Sequence, residues 1–327
     1  MADPVVEEMI AANDLDELLR EIDRRCERDD WDGLVSLRDA CARSHEHGRQ
    51  MWPAASHAEY RLALEAPAEW AARAVREGAA HLGLGPLTEV VASTHDWASV
   101  ADLVAPGPLR ASVAQERVVR GESLVGDERA EPRLAEASLR LCEWEPDYPV
   151  ATYHSWKVEA PGPTRGDGAA VRVAPLPVHD LRGEEAIVLE EVARTWVASS
   201  NGAACAVAVE GDAAVAIGGL LTDGSAMATP VEGRDAMALL AWAAASGGAH
   251  GRRRGMAAGR ATAWWTAAVL AGTSDEWPPD PDALGEAIDE LQWWTWTTPG
   301  ETGWICRLAV ADPVEGLAWA LDAHDHN

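Results

Sequence analysis

Apolar side chains recur at helical spacing through the first quarter of the chain. Leu15, Leu18, Leu19 and Ile22 follow Asp14, and Trp31, Leu34, Val35, Leu37 and Ala40 follow Asp30. Each set falls on one face of a 3.6-residue helix. Each aspartate stands where a side-chain oxygen caps the first free N–H groups. Gly48 comes after the second set as a C-terminal stop. Pro53 and Pro67 open two further helices, one carrying Ala54, His57, Ala58, Leu62 and Leu64, the other Trp70, Ala71 and Ala74. Residues 86–93, 96–104, 109–119 and 131–141 continue the helical texture. Short links between such helices predict antiparallel neighbours, as in a bundle or a helical-repeat array.

The pattern changes near Trp144. Between residues 146 and 177 the chain carries six prolines and runs of β-branched and aromatic residues. The spacing predicts strands over 150–158 and 170–174, with 161–168 as the loop between them. Beyond that, helices and strands mix. Helices are predicted over 184–199, 234–245, 252–271 and 281–291, and a strand over 203–209. Glu210-Gly211-Asp212 turns into a short Ala-rich helix, and a hairpin joins 293–297 to 304–311. Asp312-Pro313 is read as the start of a last helix, an acidic cap followed by proline at the first helical position. The expected fold is α+β or mixed α/β. An all-helical region covers 1–145, and a Pro-rich extended segment over 146–180 joins the C-terminal sheet. A mixed domain over 181–327 then packs a small sheet with helices.

Composition narrows the function classes. The 327 residues include 27 Lys+Arg against 54 Asp+Glu, a formal net charge of −27. Such a chain does not bind nucleic acid non-specifically and is not drawn to an anionic membrane surface. Lys157 is the single lysine, Phe is absent, and Trp occurs 16 times. The five cysteines, Cys26, Cys41, Cys142, Cys205 and Cys306, are scattered and form no CxxC pair, so they read as reduced core thiols rather than a disulfide framework. The opening stretch is acidic, without a basic region leading into an apolar one. The most apolar later run, 255–272, contains Arg260 and reads as a buried helix. The expectation is a soluble, cytoplasmic protein.

Candidate chemistry centres on Ser246-Gly-Gly-Ala-His250-Gly-Arg252-Arg253-Arg254-Gly255-Met-Ala-Ala-Gly259-Arg260. Four arginines in an acidic chain, beside glycines at a predicted helix start, make an anion site of His250, Arg252, Arg253, Arg254 and Arg260. The competing reading is structural. Gly251, Gly255, Gly259 and Ala263 form a smooth helical stripe for a neighbouring helix, and the arginines pair with carboxylates. Cys41, His45, His47 and His57 are of the types that ligate zinc. His45 and His47, two apart, point to different faces of a helix, and a helix end bearing histidines is the alternative. Asp322, His324, Asp325 and His326 have the same flavour but read as a frayed tail. Trp264, Trp265, Trp277, Trp293, Trp294, Trp296, Trp304 and Trp319 either fill a core that lacks Phe or make a platform for a sugar or base. On a strand, Trp294 and Trp296 share one face and Trp293 takes the other.

No phosphate-binding GxxxxGK[ST] loop, GxSxG elbow, HExxH pair or complete dinucleotide fingerprint occurs, and no cofactor is implied. Residues 48–67, 247–255 and 303–313 together resemble an uncharacterised family of actinobacterial hypothetical proteins, a resemblance that carries no activity and no functional residue. Two functions therefore stand from the residues alone. The first is a non-catalytic binding or interaction protein with a protein partner. The alternative is an enzyme or sensor that binds a phosphate- or carboxylate-bearing small molecule at 247–260. The number of subunits is left open.

Overall fold

The computed structural model describes residues 3–78, 83–163, 168–300 and 302–326. The chain divides into two compact units, and no single cut separates them. A helical unit takes the chain up to Val118 together with Leu124–Ala135 and Ala151–Glu159. A sheet unit takes Val119–Ser123, Glu136–Val150 and the chain from Ala160 onward.

The helical unit holds α1 (Pro4–Ala12), α2 (Leu15–Glu27), α3 (Trp31–Glu46), α4 (Trp52–Glu65), α5 (Ala68–Ala74), α6 (Leu87–Thr94), α7 (Trp97–Val100) and α8 (Pro108–Val118). The caps follow the sequence signals. Asp14, Asp30 and Asp96 each accept the N–H three residues on, from Glu17, Gly33 and Ser99, at 2.9–3.0 Å. Helix α4 is buried along nearly its whole length, from Ala54 to Leu64, as expected of the central helix of a bundle. Its buried charges are matched. Arg61 donates to both oxygens of Glu65, at 2.8 and 2.9 Å, and also to Asp23. A two-residue hairpin, β1 (Thr152–Tyr153) and β2 (Val158–Glu159), closes this unit. It replaces the single strand expected over 150–158, because the chain reverses where His154 N–H donates to Lys157 O, 2.9 Å.

The sheet unit is a mixed layer structure. Its strands are β3 (Val171–Val173), β4 (Ala203–Glu210), β5 (Ala226–Val231), β6 (Gln292–Thr297), β7 (Trp304–Asp312) and β8 (Leu317–Asp325). They pair antiparallel throughout, in the order β3-β5-β6-β7-β8-β4. Helices α9 (Glu184–Val192), α10 (Arg194–Ser199), α12 (Gly233–Ala245), α13 (Met256–Leu270) and α14 (Pro281–Glu290) share one core with one sheet face, built around Trp196, Trp264, Trp293, Leu308 and Leu321. Helix α11 (Ala213–Leu220) covers the other face with Ile217, Val207, Trp296 and Ala309. Trp293 and Trp296 thus lie in opposite cores, as the two-residue period of a strand requires. The edge strand β4 is blunted by carboxylates. Glu190 Oε1 accepts from Ala206 N (3.1 Å) and Asp180 Oδ1 from Ala208 N (3.2 Å), occupying N–H groups that would otherwise template pairing.

The fold is therefore the expected α+β, with several local corrections. The helix expected over 131–141 is only a 3-10 turn at Pro132–Leu134. The carbonyls of Ser138 and Arg140, which a helix would use internally, are instead taken by Arg260 at 2.8 and 3.0 Å. Helix α13 starts at Met256 rather than at 252, since Arg254 N–H is tied back to Ala245 O at 2.7 Å. Strand β5 went unpredicted; Pro230 within it argues against a strand. Asp312-Pro313 opens no helix. Asp312 Oδ1 accepts from Val314 and Glu315 N–H (2.7 and 3.0 Å), Gly316 turns the chain at φ +68°, and β8 follows. The tail expected to fray is this inner strand. The loop expected over 161–168 includes residues 164–167, which lie outside the described residues.

The glycine stripe survives in part. A Cβ built on Gly259 would stand against the carbonyl oxygen of Ala241 and 2.8 Å from the Ala245 Cβ, so α12 and α13 touch backbone to backbone there. Gly259→Ala is expected to destabilise by about 1–3 kcal/mol. Alanine's helix-propensity gain of about 1 kcal/mol loses because the obstacle is main chain and cannot rotate away. Thermal unfolding of the variant checks the sign.

Candidate functional site

The structure separates the arginines that the sequence groups. Arg260 is fully buried and belongs to the core of the sheet unit. Its Nε and Nη2 donate to Glu145 at 2.7 Å each. Arg252 and Arg253 are already engaged by other residues. Arg254 alone has a guanidinium with no hydrogen bond or ion pair among the described residues. It lines a groove of about 650 Å³ between α9–α10 and α13. His250 is exposed, and its N–H donates to Ser200 Oγ at 3.0 Å.

The loop that carries Arg254 is anchored at its far end by the Arg254 N–H on Ala245 O (2.7 Å) and at its start by two backbone N–H groups. Besides the His250–Ser200 bond, the buried Asp325 of β8 accepts the Ala249 N–H through Oδ2 at 2.6 Å. The groove floor is apolar, with Val188, Ala198, Ala258 and Ala261. Trp265 and Trp277 meet edge to face at one side, their rings 5.0 Å apart. Polar groups line it as well: Thr195, Ser199, Thr262 and Arg194, the last paired at 3.1 Å with the exposed Glu191. Glu136 is the remaining carboxylate. With Arg194 paired to Glu191 and the Thr262 hydroxyl donating to Ala258 O at 2.9 Å, the arrangement offers the Arg254 guanidinium and the hydroxyls of Thr195 and Ser199 to an anion, with an aromatic wall for an attached ring.

Sequence reasoning missed Arg194, Thr195 and Ser199. They sit on the predicted helix over 184–199, but no local signal ties that helix to residue 254. Of the eight tryptophans named from the sequence, Trp264, Trp293, Trp296 and Trp319 are buried in cores, and Trp277, Trp294 and Trp304 pack against those cores partly buried.

The four residues of zinc-ligand type do not meet. Cys41 is buried within α3, and burial pushes its thiol up to about 12. His45 and His47 are exposed at the end of α3, their Nδ1 atoms on Arg49 O (3.2 Å) and Arg43 O (2.7 Å). His57 stacks on Trp156 with ring centroids 4.2 Å apart. Burial, helped by the charge of Arg61, pulls the His57 pKa down to about 4. Among the described residues no group of three or more His, Cys, Asp or Glu side chains is placed to hold a metal ion. None of the described helices is long and apolar enough to cross a membrane.

No curated protein and no solved structure matches the chain. One family model does, over residues 16–324, which spans both units, and the chain therefore belongs to the family of unknown function DUF6183.

Proposed function

We propose that this is a cytoplasmic binding protein whose sheet unit holds a small anionic molecule, a carboxylate or phosphate joined to an apolar ring, in the groove beside Arg254. One observation carries the reading. In a chain with 54 acidic residues, the Arg254 guanidinium has no partner among the described residues and lines a groove with hydroxyls and an aromatic wall. The anion takes Arg254, with Thr195 and Ser199 as further donors, and the ring lies against Trp265. Of the expected anion set, Arg260 serves the fold, and His250 is held through its backbone N–H with its side chain exposed. The other expected class, a protein–protein contact through the helical half, has no comparable feature behind it.

The test is a thermal-melt series with inorganic phosphate, phenyl phosphate, benzoate and uncharged benzyl alcohol. A ligand at a hundred times its Kd adds about 2.7 kcal/mol of stability. Phenyl phosphate and benzoate are expected to raise Tm, benzyl alcohol is not, and Arg254→Ala is expected to remove the rise. No rise with either ring-bearing anion would overturn the proposal.

A further inference from the structure

The Arg254 groove holds a second unpaired charge. Glu136 lines it, and its carboxylate has no hydrogen bond or ion pair among the described residues. The other two charges there, Arg194 and Glu191, are committed to each other at 3.1 Å. One free guanidinium and one free carboxylate therefore line the same groove without pairing to each other. The formal charges of its lining, Arg194 and Arg254 against Glu136 and Glu191, cancel.

The backbone fixes where these groups stand. Ala258, Ala261, Thr262 and Trp265 recur at helical spacing on the face of α13 that lines the groove. Arg254 comes just before that helix, and Trp265 stands about 10 Å beyond Ala258 along its axis. The groove thus has a cationic end and an aromatic end. Glu136 belongs to a segment that Arg260 holds against α13, its Nη1 and Nη2 donating to Ser138 O and Arg140 O at 2.8 and 3.0 Å. Trp265 and Trp277 are only partly buried, so ring surface is left for a ligand.

The charges set the class of ligand. A purely anionic molecule finds Arg254 but also meets the free Glu136 and the field of a chain with a net charge of −27. A zwitterion carries no net charge and answers both free groups. Its carboxylate suits the planar fork of a guanidinium, and its ammonium suits a carboxylate. The aromatic end of the groove then asks for a ring on the same molecule. The volume of about 650 Å³ lies within the ~300–1,000 Å³ of small-molecule sites. Resting on the reading that Arg254 takes the ligand's anionic group, we infer that the ligand is a free aromatic α-amino acid. Its carboxylate lies on Arg254, its ammonium on Glu136 and its ring against Trp265.

The test compares three ligands by calorimetric titration: L-phenylalanine, 3-phenylpropionate, which lacks the ammonium, and L-alanine, which lacks the ring. Pairing the ammonium with an exposed carboxylate corresponds to one ordinary hydrogen bond, so L-phenylalanine is expected to bind about three- to tenfold more tightly than 3-phenylpropionate. L-Alanine is expected to bind more weakly than L-phenylalanine. Glu136 is exposed, so Glu136→Gln is expected to melt with the wild type. That variant is expected to lose the preference for L-phenylalanine and to bind 3-phenylpropionate no less tightly. Arg254→Ala is expected to weaken both ring-bearing ligands. The inference is overturned, with the Arg254 reading left standing, if 3-phenylpropionate binds through Arg254 as tightly as L-phenylalanine, if L-alanine matches L-phenylalanine, or if the preference persists in Glu136→Gln. Both fall if neither ring-bearing ligand binds, or if Arg254→Ala leaves their affinities unchanged.

Discussion

Replacing Glu145 with alanine is expected to cost about 3–5 kcal/mol, the largest loss from any single change considered. The carboxylate is fully buried and accepts five hydrogen bonds. Arg260 supplies two at 2.7 Å, Tyr148 OH one at 2.6 Å, and Trp264 Nε1 and Cys142 N one each at 3.0 Å. Removing it strands a guanidinium that cannot shed its proton in a site closed to solvent. Removing both charges is a different experiment. Glu145→Leu with Arg260→Met takes away the pair and its desolvation together, and is expected to recover much of the single-variant loss. Denaturant unfolding of the wild type and these two variants gives the comparison, and a double variant worse than Glu145→Ala would contradict it.

The same pair sets a pH dependence. Burial alone would raise the Glu145 pKa, but the Arg260 hydrogen bonds and charge outweigh it and hold the carboxyl below its ordinary 4.5. A depressed folded value means that the native state favours the ionised form. Its contribution is present above 4.5 and is lost as the pH falls through the lower, folded value.

The second large effect is expected from His57. Its pKa falls from 6.5 to about 4 because burial penalises the imidazolium, with Arg61 adding repulsion against the smaller attraction of Asp23 and Glu65. The unfolded chain therefore takes up the proton first. Stability is full above pH 6.5, falls between 6.5 and 4, and by pH 4 is lower by about 3 kcal/mol from this group. The Nε2 atom is buried without a partner, so His57→Phe keeps the stack on Trp156 and gives up no hydrogen bond at Nε2. That variant is expected to match or exceed the wild type at pH 7 and to flatten the slope between pH 6.5 and 4. An NMR titration of the His57 ring near 6.5 would contradict the account.

Features that act within a few residues were legible in the sequence. The aspartate caps read at 14 and 30 accept N–H groups of the first turn as expected, and Asp96, Asp212 and Asp280 do the same at three further helix starts, because capping is decided within one turn. The last strand shows the limit of that rule. Asp312 and Pro313 cap a tight turn with the same geometry that starts a helix. The run from Leu317 is apolar on both faces because β8 lies inside a sheet covered on both sides, so it lacks the alternation that marks a half-exposed strand. The candidate site was legible only as a cluster of arginines. Which of them is free depends on Glu145, 115 residues before Arg260, and no spacing rule reaches that far. Glu136 was invisible for the same reason, since an unpaired carboxylate is defined by what folds next to it.

The division of labour between Arg254 and Arg260 is most directly tested by calorimetric titration of phenyl phosphate into wild-type protein and Arg254→Ala. Loss of one charge-assisted hydrogen-bonding partner corresponds to about 1.5–3 kcal/mol, or roughly ten- to a hundredfold in Kd. The variant is expected to melt with the wild type and to bind more weakly by that factor. Equal affinity in the two proteins would contradict the account.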